Sequence, residues 1–155
     1  MKFSHSIMAV LAASAMATTA GWAADTLIED MPQAIDGVET VCDGVSIENR
    51  HDAKWRAYGL RMEFVGKGGQ YLGGQTVSVK GNEHDISVQC KGPWVLMKLP
   101  AGSYHISADV PDAGHKEMNV RVPASGQQVA MFVFPNAGGV VTRPDGRRDL
   151  VASAK

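Results

Sequence analysis

The chain has 155 residues, of which 45% are apolar, 20% charged and 6% aromatic, and this composition excludes a disordered or collagen-like protein. Its 15 lysine and arginine residues nearly balance 16 aspartate and glutamate residues, so the net charge gives no basis for binding nucleic acid or an anionic membrane surface. The 17 glycine and 7 proline residues, many at the ends of short apolar runs, favour a turn-rich β protein of one domain.

Residues 1–23 have the pattern of a secretory signal peptide. Lys2 gives a positive start, residues 7–17 form an apolar run of about eleven residues, and residues 21–23 (Gly-Trp-Ala) fit the small-x-small rule for cleavage after them. A cut after Ala20 is the nearest alternative. The run is shorter than the ~20 apolar residues of a spanning helix. Because no cysteine lies near the cut, we expect a soluble protein of the periplasm or the extracellular space that has no membrane span and is not a lipoprotein.

Residues 24–45 are predicted to form an acidic arm in front of a mildly basic body. Residues 25–49 contain seven acidic residues and no lysine or arginine, whereas the chain from Arg50 onward has 14 basic and nine acidic residues. Such an arm either recruits a basic partner or a cation, or lies solvated against its own body. The second interpretation is favoured.

The chain has two cysteines, Cys42 and Cys90, which enclose 47 residues. In an oxidising compartment we expect them to form a structural disulfide. A redox pair would normally have C-x-x-C spacing, and two thiolates alone do not complete a tetrahedral zinc site.

One helix is predicted, over residues 46–58, with Ser46 as its N-cap and Gly59 as its end. After it the period changes from helical to alternating. Seven strands follow: Leu60–Val65, Gln75–Lys80, Ile86–Cys90, Trp94–Leu99, Ser103–Val110, Lys116–Val122 and Gln128–Phe134. The fourth is almost continuously apolar, as a strand buried on both faces would be. The series predicts an all-β, seven-stranded antiparallel β-sandwich of the prealbumin or immunoglobulin kind over residues 46–135, with one short N-terminal helix. Residues 136–155 have no convincing period and are expected to form a flexible tail.

The turn between the fourth and fifth strands carries a Leu99-Pro100-x-Gly102-x-Tyr104 pattern. Pro100 restrains the entry to the turn, Gly102 is able to take a positive φ, and Tyr104 is expected to cover the end of the core.

This stretch, preceded by Gly92-Pro93-Trp94, resembles the carboxypeptidase regulatory-like and Cna-B-like domains, which are transthyretin (prealbumin)-like in topology. In particular it is similar to small exported proteobacterial proteins. The resemblance covers about residues 60–134 and implies the fold while leaving the function open. Transthyretin-related hydroxyisourate hydrolases end in a Tyr-Arg-Gly-Ser-like signature. That tetrapeptide does not occur here, so the resemblance does not imply that activity.

Other candidate functional residues each have two interpretations. Trp94, beside a Gly-Pro turn, either stacks on a sugar or a peptide or closes one end of the sandwich. His105 lies on the polar phase of its strand and is either a binding residue or a solvated surface histidine. His115 and Met118, three residues apart, offer imidazole and thioether ligands that suit Cu(I), although methionine at an inward position is also an ordinary core residue.

The chain has no G-x-S-x-G elbow, no phosphate loop and no H-E-x-x-H motif. We therefore expect a non-catalytic binding or accessory module of the bacterial cell envelope, with no cofactor. Its partner would be another envelope protein or a cell-surface polymer. The alternative is a periplasmic copper-binding protein that uses methionine and histidine ligands.

Overall fold

The computed structural model describes residues 23–137, 140–142 and 148–150. The predicted signal peptide lies outside these residues apart from Ala23. In chain order the strands are β1 (Asp25–Thr26), β2 (Gln33–Ile35), β3 (Val38–Asp43), β4 (Leu60–Gly66), β5 (Gln75–Gly81), β6 (His84–Cys90), β7 (Trp94–Met97), β8 (Gly102–Val110), β9 (Gly114–Val122), β10 (Gln128–Phe134), β11 (Val140–Thr142) and β12 (Arg148–Leu150). Helix α1 (Ile47–Arg50) and a 3-10 helix (Ala53–Ala57) lie between β3 and β4.

Two five-stranded sheets make up the body of the protein. Sheet 1 has the order β1-β6-β5-β8-β9, and sheet 2 has the order β10-β4-β7-β3-β2. Both sheets are mixed, because β1 runs parallel to β6 and β10 runs parallel to β4. The expectation of a purely antiparallel arrangement is wrong for these two pairs, since alternation along a strand carries no information about the direction of its neighbour.

Each of the seven predicted strands has a counterpart in β4 to β10, and β7 is buried along its whole length, as its apolar sequence indicates. The count of seven is too low, because the predicted arm and tail contribute further strands. The tail contains the antiparallel pair β11 and β12, and its other described residues are 136 and 137.

Side chains from both sheets form one shared core. Its largest fully buried members include Met62, Phe64, Ile86, Met97, Tyr104, Ile106, Phe132 and Phe134. The predicted disulfide is confirmed: Cys42 on β3 is bonded to Cys90 on β6, with Cα atoms 5.5 Å apart. Because β3 belongs to sheet 2 and β6 to sheet 1, the bond links the two sheets through the core.

Residues 38–43 of the predicted acidic arm form strand β3. This strand lies between β7 and β2, and Val38, Thr40 and Cys42 are buried. The net charge of residues 25–49 hid this pattern, because the acidic side chain of Glu39 occurs on the opposite phase from these three. From Thr40 to Asp43 the strand is buried on both faces, because Val41, on the phase of Glu39, packs in a second buried cluster.

The predicted helix is present as two short pieces instead of one. Ser46 does cap α1, since its Oγ accepts a hydrogen bond from Asn49 N at 3.1 Å. The helix stops at Arg50, and Asp52 then caps the 3-10 helix by accepting from Lys54 N at 2.9 Å. A second capping residue within the predicted span explains the break, because a cap satisfies the first N–H groups of a new helix.

This helical segment covers the outer face of sheet 2. Trp55 and Tyr58 pack there in a second buried cluster, whose other members are Val41, Trp94 and Leu96. The Gln127 side chain fixes the segment to the turn before β10, because its Nε2 donates to the carbonyl oxygens of Trp55 at 2.6 Å and Tyr58 at 3.0 Å.

The turn between β7 and β8 is closed by a side chain. Tyr104 is buried as expected, and its hydroxyl donates to the carbonyl oxygen of Pro100 at 2.8 Å. Gly102, however, has no positive φ, and a methyl group at this position would meet the Asn82 side chain at an ordinary distance of 3.6 Å. The predicted reason for a glycine at this position is therefore wrong.

Candidate functional site

The most distinctive surface of the protein is the free edge of β10. This strand pairs with β4 over its full length, from Gln128 opposite Leu60 to Phe134 opposite Gly66. Its other side has no strand partner among the described residues. A free edge presents a row of backbone N–H and C=O groups to whatever lies beside it.

The side chains of β10 are apolar on both faces. Ala130, Phe132 and Phe134 point into the core and are buried. The outward-facing row consists of Val129, Met131 and Val133, which are 38%, 50% and 40% exposed. We call these three side chains together with the free backbone edge of the strand the β10 edge.

The β10 edge lacks the features that usually protect edge strands. Natural edges are commonly interrupted by a charged side chain or a proline, whereas residues 128–134 contain neither. The strand is also held firmly in place. Gln128 N donates to Gly59 O at 2.8 Å, and the Phe132 ring stacks on Phe64 with centroids 5.3 Å apart.

A further apolar side chain extends this surface across β4. Val65 pairs with Val133 on one side and with Tyr71, through an isolated bridge, on the other. Tyr71 is 40% exposed, and the Arg50 guanidinium lies 4.2 Å from its ring centroid. Val65 is itself buried, so the exposed apolar side chains here are Val133 and, on the other side of Val65, Tyr71.

Trp94 is buried in the cluster under the helical segment. The Arg61 guanidinium lies 4.6 Å from its ring centroid, and the Tyr71 ring approaches it edge-on at 6.4 Å. These neighbours cover the ring, so it offers no open face for stacking on a sugar or a peptide. The ring lies on the outer face of sheet 2, under the helical segment.

His105 lies on the exposed outer face of sheet 1. Its Nδ1 is 3.0 Å from Asn119 Oδ1, and its Nε2 is 3.7 Å from a Glu117 carboxylate oxygen. Both contacts are with the adjacent strand β9, so the ring is part of a polar ladder between β8 and β9.

His115 and Met118 are not brought together. His115 lies on the outer face of sheet 1, where its Nδ1 is 2.9 Å from Asp109 Oδ1 and its Nε2 is 3.1 Å from Glu117 Oε1. These contacts with Glu117 and Asp109 raise the pKa of the imidazole. Met118 lies on the other phase of β9 and packs against the core. Residues three positions apart on a strand point to opposite faces of the sheet. His115 and Met118 therefore cannot hold one copper ion.

No group of three or more histidine, cysteine, aspartate or glutamate side chains is placed to hold a metal ion in the part of the chain that the structure describes.

Two open cavities adjoin the outer face of sheet 1. The larger, of about 640 Å³, has Lys80, Asp85 and Ser87 among its lining residues. The second, of about 560 Å³, is lined in part by Asp109 and His115. Charged side chains line both cavities, whereas the β10 edge carries no charge.

A comparison with known proteins finds no family model that matches the chain, and no curated protein sequence matches it either. Within the described ranges, no helix is long and apolar enough to cross a membrane.

Sequence reasoning predicted β10 as a strand but missed its exposed row. The signal was present, because residues 129–134 are apolar in both phases without a single charge. Such a run also fits a strand buried on both faces, as β7 is. Only the sheet order distinguishes the two, since β7 lies inside sheet 2 and β10 lies at its edge.

Proposed function

We propose that this protein is an exported, non-catalytic binding module of the bacterial cell envelope, and that it binds an extended segment of a partner protein along the β10 edge. The observation that carries the proposal is an uncharged, two-sided apolar strand at a free sheet edge. An added strand would satisfy the free backbone groups, while side chains at alternate positions would pack on Val129, Met131 and Val133.

The chemistry of the edge defines the partner segment. Because the exposed row is aliphatic and uncharged, the segment should be extended, uncharged and apolar at every second position. A cell-surface polymer such as a glycan would instead require hydrogen-bonding side chains, which the outward-facing row of β10 does not provide.

Export and the finer fold class belong to the same proposal. The Cys42–Cys90 bond fits an oxidising compartment, because disulfides rarely persist in the cytosol, and it supports export to the periplasm or beyond. The shared core and the closed Leu99–Tyr104 turn support a sandwich of the transthyretin-like kind. The copper alternative gains no comparable support, since His115 and Met118 face opposite sides of sheet 1.

Site-specific photo-crosslinking in the producing cells tests the proposed edge. A photoreactive phenylalanine analogue replaces Met131 in one variant and Asn119, an exposed residue on the edge strand of sheet 1, in a matched control. We expect an adduct with a second protein from position 131 and none from position 119. Equal adducts at both positions, or none at 131, would contradict the proposal.

The crosslinked partner is then purified and its affinity measured by calorimetry. Met131→Lys should weaken binding about 30-fold, the loss typical of a central interface residue, because it places a charge in an apolar contact. Asn119→Lys should leave the affinity unchanged. An adduct between two copies of this chain would show that the β10 edge binds a second copy of the chain and not a different protein.

A further inference from the structure

A pair of carboxyl groups lies at the base of the predicted acidic arm, away from the β10 edge. Asp43 is the last residue of β3, and Glu29 forms a parallel bridge with its neighbour Cys42. Asp30 N donates to Cys42 O at 2.9 Å, which places Asp30 beside Asp43. Asn49, on α1, bridges the two, since its Nδ2 lies 2.8 Å from Asp30 Oδ1 and 3.3 Å from Asp43 Oδ1.

Asp43 is an unusual residue because its carboxyl group is buried and only half satisfied. The residue is 1% exposed, and no N–H or O–H donor within the described chain reaches its Oδ2 atom. The Asp30 carboxyl is its acidic neighbour, since both carboxyl groups accept a hydrogen bond from Asn49 Nδ2.

Two ionised carboxyl groups that share one Asn49 side-chain nitrogen repel each other, and the burial of Asp43 weakens the screening of this repulsion by water. A positive charge between the Asp30 and Asp43 carboxylates would offset this repulsion. Arg50 does not supply it, because its Nε donates to Gly44 O at 2.6 Å and its guanidinium lies against the Tyr71 ring. The remaining choices are a proton shared by the pair or a bound cation.

We propose that Asp30, Asp43 and Asn49 bind a hard divalent cation, with Ca²⁺ as the ion of matching chemistry. Both carboxylates offer oxygen ligands, which Ca²⁺ prefers. Rotation of the Asn49 side-chain amide exchanges Nδ2 for Oδ1 and adds a third oxygen. Two carboxylates and one amide leave most of the coordination to water and backbone oxygens, so the affinity belongs to the millimolar range of extracellular modules.

The bound ion would fasten three separate segments at one point. Asp30 comes from the chain between β1 and β2, Asp43 from the end of β3, and Asn49 from α1. Calcium binding should therefore stabilise the folded protein, because the site does not exist in the unfolded chain.

Thermal unfolding of the whole protein at pH 7.5, in EDTA and in 10 mM CaCl₂, measures this linkage. With a dissociation constant of about 1 mM, the melting temperature should rise by about 5 °C in calcium. Asp43→Asn should remove the calcium response and raise the melting temperature in EDTA, because it relieves the repulsion. Asp112→Asn is a matched control for Asp30→Asn, since both aspartates are exposed and have positive φ, at 60° and 58°.

Terbium luminescence gives a direct readout of the ion. Gly44 packs against the Trp94 ring, so Tb³⁺ bound at Asp43 would be close enough for energy transfer from an indole. We expect a signal that Ca²⁺ displaces, that Asp30→Asn and Asp43→Asn lose, and that Asp112→Asn keeps. Asn49→Asp adds a carboxylate and should tighten calcium binding about tenfold.

Three results would overturn the proposal. The first is no calcium effect on the wild-type protein at pH 7.5. The second is an equal effect in Asp43→Asn. The third is a melting temperature that rises on acidification to pH 5 but does not respond to calcium, which would show that a proton lies between the two carboxyl groups.

Discussion

Gly44 connects the end of β3 to the cover over sheet 2. Its φ is +92°, a conformation that side chains resist, and a Cβ atom there would lie 2.7 Å from Cγ of Trp94. The close approach lets the indole ring lie flat against the backbone. One glycine therefore determines both the direction of the chain after Asp43 and the space available to Trp94.

Gly44→Ala should destabilise the protein more than a glycine replacement that changes the backbone conformation alone. Gly37→Ala is the matched control, because Gly37 also has a positive φ, +73°, but a Cβ there would meet nothing within 4 Å. We expect a loss of about 1 kcal/mol for Gly37→Ala and about 1–3 kcal/mol more for Gly44→Ala, from strain and overpacking respectively. Urea denaturation followed by tryptophan fluorescence measures both. Equal losses would show that the Trp94 ring moves aside without cost.

At the scale of elements, alternation along the sequence was sufficient to find β4 to β10. Residues such as Tyr104, Ile106 and Ala108 repeat at a period of two and are all buried. It was not sufficient for β3, where the acidic composition around Val38 and Cys42 dominated the interpretation. A compositional average cannot reveal which phase of a strand is buried.

The candidate sites show the same division. The sequence offered His115 and Met118 by their spacing, but a strand sends residues three apart to opposite faces. It could not offer Asp30 and Asp43, because their proximity depends on the pairing of Glu29 with Cys42, which local pattern does not encode. Contacts between separate segments of the chain cannot be predicted from the local pattern of a single sequence.

The helical segment covers the outer face of sheet 2, and we expect it to contribute to the stability of the protein. Trp55 is buried, and its Nε1 donates to Asn49 O at 2.7 Å, joining the 3-10 helix to α1. Trp55→Ala should lower the free energy of unfolding by about 3–5 kcal/mol, as for other buried aromatic residues. Arg56→Ala, in the same helix but exposed, should change it by less than about 0.5 kcal/mol. Chemical denaturation distinguishes the two, and a similar small loss for both would mean that the cover is loosely attached.

For the whole molecule, the disulfide is the covalent link between the sheets. Replacing both Cys42 and Cys90 with serine should lower the free energy of unfolding by about 4 kcal/mol, because the bond closes a long loop in the unfolded chain. Denaturation of the oxidised wild-type protein and the double variant, each with and without reductant, measures the effect. The reductant should reproduce the loss in the wild-type protein and leave the variant unchanged. A loss well below 2 kcal/mol would indicate that the core alone determines stability.

The parallel pairing of β10 with β4 has a consequence for how the chain is completed. β4 is the first strand of the predicted core and β10 the last, yet they are neighbours from Leu60 opposite Gln128 onward. During synthesis, which starts at the N-terminus, one side of β4 stays unpaired until residue 134 has been made. Pairings between such distant segments form slowly. A chain cut short before Gln128 would lack the ring of Phe132 that stacks on Phe64. Strand β10 therefore makes folding depend on chain length, since the β4–β10 pair of sheet 2 becomes complete only when the chain is present to Phe134.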